Sequence, residues 1–102
     1  MNNLRSKDLQ TLENFITVLE CYGVRFDPSK KNQMIACPFH DDHHPSASLV
    51  LEGKGWFNCF SCGAGGNLFN FVALQERLNC RKDFPRVLSR TNEICESERR
   101  SI

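Results

Sequence analysis

Two pairs of metal-ligating side chains constrain this chain more than any other feature. Cys37 and His40 stand two residues apart, Cys59 and Cys62 likewise, and eighteen residues separate the pairs. A two-residue gap lets one tight turn present both ligands to a single tetrahedral ion, and the interval suits a hairpin that brings the turns together. The spacing predicts one zinc ion per chain. Four protein ligands fill a tetrahedral shell, whereas a catalytic zinc keeps one position for water, so the predicted ion is structural. Pro38 restricts the backbone after Cys37, and Gly63 follows Cys62, where closing a metal turn favours a left-handed residue.

The rest of the composition fits that reading. A chain of 102 residues makes one small domain with a modest core, the setting in which a metal adds stability. Its six cysteines would permit a disulfide framework. The polar start has no apolar signal-peptide core, and no apolar run nears the ~18 residues that span a membrane. These features predict a cytoplasmic protein with no membrane partner, in a reducing compartment where clustered Cys and His favour metal. Cys21, Cys80 and Cys95 stand singly on predicted helices and read as small buried or half-buried side chains. The formal net charge is only +1, so attraction to nucleic acid must come from a local patch.

Along the chain, residues 6–22 show helical spacing, with Leu9, Leu12, Ile16 and Leu19 on one face, Ser6 as N-cap and Gly23 as C-cap. "VRF", "QMIAC", "SASLVL" and "WFNCF" read as four short antiparallel strands, the last two joined by an "EGKG" turn. A second helix is predicted from Asn67 to about Leu78 and a third from near Asp83. The predicted class is α+β, a small antiparallel sheet packed by about three helices. Residues 1–102 form one domain, with a core at about 12–90 and a flexible tail at 96–102.

"CPFHDDHHPSAS" followed by "WFNCFSCGAGGNLFNFV" resembles the N-terminal zinc-binding domain of bacterial and phage DnaG-type DNA primases. The resemblance rests on Cys37, Pro38, Phe39, His40, Pro45, Ser46, Cys59, Phe60, Cys62, Gly63, Gly66 and Asn67. The sequence departs from the family pattern at His43-His44, Ala47 and Ser61, which bears on template preference and leaves the ligands intact. The resemblance implies a zinc-ribbon fold. It also implies single-stranded DNA binding for primer initiation during DNA replication, alongside a catalytic primase domain in cis or trans and, within the primosome, a replicative helicase.

Single-strand binders combine cations for phosphates with exposed aromatics for stacking. The candidates for DNA contact are Arg25, Lys30, Lys31, His43, Lys54, Trp56 and Phe57, on the predicted strands and their turns. Trp56 and Phe57 are adjacent on one strand, so one is expected inward and the other outward. A second basic stretch comprises Arg81, Lys82, Arg86 and Arg90. The twelve acidic residues are scattered, so the chain alone is expected not to catalyse nucleotide transfer. The competing reading is a zinc ribbon that binds protein and not DNA. A zinc deaminase would need a His-x-Glu motif that the sequence lacks.

Overall fold

The computed structural model describes residues 9–39 and 45–100, with side chains through Glu96. Helix α1 spans Leu12–Cys21. It begins later than the helix expected over 6–22, because Thr11 is extended (φ −122°, ψ 159°) and its side chain accepts the Asn14 N–H. Ser6 lies outside the described residues. Asn14 Nδ2 in turn donates to Leu9 O at 2.8 Å, which seats fully buried Leu9 beneath the helix. After Tyr22 the Val24 N–H returns to Leu19 O and the Gly23 N–H to Glu20 O, both at 3.0 Å, a double bond pattern that ends the helix at Gly23.

Four strands follow, β1 (Asn32–Ile35), β2 (Ala47–Val50), β3 (Trp56–Cys59) and β4 (Gly65–Gly66), in antiparallel order β1-β2-β3-β4. "VRF" is not a strand. Val24 and Phe26 pack against the core from a loop without ladder partners, and the fourth strand is instead the Gly65–Gly66 pair. Ala47 pairs with Cys59, Leu49 with Phe57 and Phe57 with Gly66. That register puts Ile35, Ala47, Leu49, Phe57 and Cys59 on one buried face.

The β2–β3 turn closes through the Gly55 N–H on Glu52 O at 2.9 Å. Gly55 has φ +86°, and a Cβ there would run into the ring of fully buried Phe15 on α1. Only glycine lets helix and hairpin approach this closely.

Helix α2 (Leu68–Glu76) starts on Asn67, as expected. Its side chain accepts the Phe69 and Asn70 N–H groups, while Asn70 Oδ1 accepts the Asn67 N–H. Helix α3 (Phe84–Arg100) packs on both other helices through Val87, Thr91, Ile94 and Cys95. Its backbone stays helical through Arg100, into the stretch expected as a tail, consistent with the high helix propensity of its Glu and Arg residues.

The three helices meet at one polar knot. Tyr22 Oη and Arg90 Nε both donate to Glu76 Oε2, at 2.7 and 3.1 Å. The Tyr22 hydroxyl, followed by the Arg90 guanidinium, holds the Glu76 carboxyl below the usual carboxylate range. A carboxylate lowered in this way stabilises the fold above its unfolded value near ~4.3, and the contribution is lost as pH falls through the folded value. Glu76→Gln should therefore cost about 1 kcal/mol at neutral pH, a modest figure because the pair is partly exposed. In denaturant titrations with saturating zinc, the gap between wild type and variant should be equal at pH 7 and pH 5. A gap already closing at pH 5 would contradict the lowered carboxyl.

Candidate metal centre and sheet face

The sheet delivers three sulfurs to one point. Cys37 follows the end of β1, where Pro38 and Phe39 form a turn and the Phe39 N–H donates to Cys37 Sγ at 3.5 Å. Cys59 is the last residue of β3. The chain then folds back so that the Cys62 N–H donates to Cys59 Sγ at 3.4 Å and the Gly63 N–H to Cys59 O at 3.0 Å. Gly63 sits at φ +77°, as the sequence reading of this turn requires. The Cys59 N–H donates to Ala64 O at 2.7 Å, which locks the turn and starts β4. The Ser46 hydroxyl lies 3.6 Å from Cys59 Sγ.

The Sγ atoms of Cys37, Cys59 and Cys62 all lie within 4.8 Å of one another, and those of Cys37 and Cys62 are 3.7 Å apart. Two thiolates each ~2.3 Å from a tetrahedral zinc stand about 3.8 Å apart, so the donor set fits that ion. Burial, the largest cause, pushes the Cys37 thiol up to about 12, and the neighbouring Cys59 and Cys62 thiols add to it. A dication offsets both effects, and the N–H donors to sulfur orient thiolates as outer partners of a metal site do. His40, the fourth expected ligand, and His43 lie outside the described residues. Among the described residues Cys21, Cys80 and Cys95 do not join the cluster. Cys95 is buried and Cys80 half-buried, whereas Cys21 is exposed at the end of α1.

The metal turn is tied to the core by aromatic rings. Phe39 lies 5.6 Å from Phe57 on β3 and 5.0 Å from Phe71 on α2, and Phe57 and Phe71 are 5.5 Å apart, all three pairs edge to face. The sequence placed these phenylalanines on separate elements, and pattern alone gave no signal that they meet.

The opposite sheet face is open. Phe57 is 1% exposed and Trp56 52%, so the inward ring is Phe57. Offered as a DNA contact, Phe57 is instead a core residue with no access to a ligand. Met34 on β1 is also exposed, and Ser48, Val50 and Asn58 are half-buried on the same outward register. Phe60, in the metal turn, is 69% exposed. Lys30, Lys31 and Lys54 are exposed at the strand ends and the β2–β3 turn. Lys31 Nζ reaches Glu52 at 3.9 Å, a solvated pair worth little. Arg25 is exposed on the other flank, beside Ala36 and Pro38. No helix among the described residues is long and apolar enough to cross a membrane.

A four-stranded antiparallel sheet, helices on one face and a three-sulfur turn at its end define a zinc ribbon. The chain matches the CHC2 zinc finger of DnaG-type primases over residues 3–101, and it belongs to that family. It is 40% identical over 74 residues to the DNA primase of Enterococcus faecalis, covering 72% of this chain and 12% of that protein. Against the Helicobacter pylori DNA primase it is 33% identical over 91 residues, covering 89% of this chain and 16% of the relative. The DNA primase of Synechocystis is 40% identical over 76 residues, with 71% and 12% covered. The chain thus spans only 12–16% of the length of these relatives.

Proposed function

We propose that this chain captures single-stranded DNA template on its open sheet face for primer initiation in DNA replication. One structural zinc, held by Cys37, His40, Cys59 and Cys62, maintains the face. A catalytic primase domain, in cis or in trans, carries out nucleotide transfer in the cytoplasm. A replicative helicase is a further partner.

The observation that carries this reading is Trp56, half exposed at the start of β3 on the open sheet face and bordered by cations, in a chain of the primase zinc-finger family. Indole stacks on any base, while Lys30, Lys31 and Lys54 attract the phosphates without fixing a sequence. Arg25 extends the basic border, and His43 belongs to the same group of candidates.

Base stacking on an aromatic is worth ~1–3 kcal/mol. Trp56→Ala should therefore weaken binding of short labelled single strands about tenfold in fluorescence anisotropy, with circular dichroism unchanged. Lys30→Ala combined with Lys31→Ala should reduce the salt slope by about 1.4, since each phosphate contact contributes ~0.7 on single strands. If both variants keep wild-type affinity and slope, the protein-binding ribbon becomes the better reading.

A further inference from the structure

The corner between α2 and α3 holds cations that the sheet face does not use. Arg77, Arg81, Lys82 and Arg86 are all exposed there, and among the described residues none of the four is ion-paired. Arg90, read with them from the sequence, is held by Glu76 and Glu93. The turn carrying them is tightly built. Asn79 Oδ1 accepts the Arg81 and Lys82 N–H groups at 3.0 and 2.8 Å, and Asp83 Oδ2 accepts the Asn79 N–H at 2.9 Å. The Leu78 N–H returns to Ala73 O at 2.8 Å and fixes the end of α2. Asp83 is the one carboxylate in this turn, against four cations.

This placement does not serve stability. Lys82 stands just before α3 and Arg86 in its first turn, where cations oppose the helix dipole. Neither finds an acidic partner in the first turn of α3, which has none. Arg77 occupies the left-handed region at φ 58°, which disfavours a side chain with a Cβ.

A groove of about 210 Å³ runs from the metal turn to this corner, lined by Gly63, Gly65, Asn70, Leu74, Leu78 and Cys80. Among the described residues no carboxylate lines it. At its sheet end Gly65 pairs with Asn58, whose side chain belongs to the open face. The groove therefore continues that face toward the basic corner.

We propose that the groove and corner form a second binding segment for the same single strand, gripping its phosphates after it leaves the sheet. The proposal rests on the sheet reading given above. A nucleic acid is favoured over an acidic protein because the groove is continuous with the stacking face and carries exposed Leu74 as an apolar base contact.

The test uses the zinc-loaded full chain and labelled thymidine oligonucleotides of about six and about twenty nucleotides, bracketing typical single-strand site sizes. Arg81→Gln with Lys82→Gln leaves the turn intact, because the turn is held by their backbone N–H groups. The variant should lose about tenfold in affinity for the long strand, and its salt slope should shrink by about 1.4. Binding of the short strand should not change. Unchanged long-strand affinity overturns the proposal, and so does an equal loss on both lengths, which would be a general field effect. Displacement of the long strand by polyglutamate as effectively as by unlabelled thymidine strand also overturns it, in favour of an acidic protein partner. Absent short-strand binding in the wild type counts against the sheet reading. The corner is then judged on the long strand alone, where retained affinity in the variant overturns it.

Discussion

Stripping the metal with a chelator, or replacing Cys59 with Ser, is expected to abolish cooperative unfolding of this chain. Structural zinc in small domains is worth ~10–16 kcal/mol of apparent binding at neutral pH. A whole domain has only ~5–15 kcal/mol of stability. The loss of one sulfur thus removes an amount comparable with the entire fold. Cys59 is the sharpest test because it ends β3, accepts the Cys62 N–H on sulfur and the Gly63 N–H on its carbonyl, and starts β4 through Ala64. Elemental analysis should give one zinc per wild-type chain. Thermal melts followed by circular dichroism should lose their sigmoidal transition in the variant and in the chelated protein. A metal-free chain that retains the full transition would refute a structural role for zinc.

Phe71→Ala should cost about 4 kcal/mol, the scale for deleting a fully buried aromatic. Phe71 is 1% exposed and touches Tyr22, Phe39 and Phe57, so the deletion opens a cavity beneath helix, sheet and metal turn together. The urea midpoint should fall while the slope stays constant. Zinc affinity should fall as well, because Phe39, whose N–H donates to Cys37 Sγ, loses one of the two rings that fix it. Competition with a chromophoric chelator measures that second effect. A variant that loses stability but holds zinc as tightly as wild type would show that the aromatic cluster and the metal turn are energetically separate.

The parts legible in the sequence were those with strong local chemistry. Asn67 caps α2 because its amide suits an N-cap, and the paired cysteines converge because the x2 gap dictates a turn. The alternation that set Trp56 against Phe57 follows from the period of a strand. What stayed hidden depended on contacts far apart in the chain. Val24 and Phe26 mimic a strand, yet they pack on the core without a ladder partner, a choice that tertiary contacts make. Gly65–Gly66 has no strand propensity and pairs only because the metal turn lays it beside β3. Arg77 reads as ordinary helix, and its left-handed geometry arises where the chain must turn into α3. The fourth ligand, His40, rests on spacing and family, since it lies outside the described residues.

On β3, inward Cys59 and Phe57 alternate with outward Asn58 and Trp56. The proposed template face and the metal anchor therefore share one four-residue strand. Such a strand cannot yield its ligand and keep its stacking surface, so the working lifetime of the face is the residence time of the ion. Slow metal exchange would make the fraction of chains able to hold template a record of past zinc supply rather than of the concentration at the moment of binding.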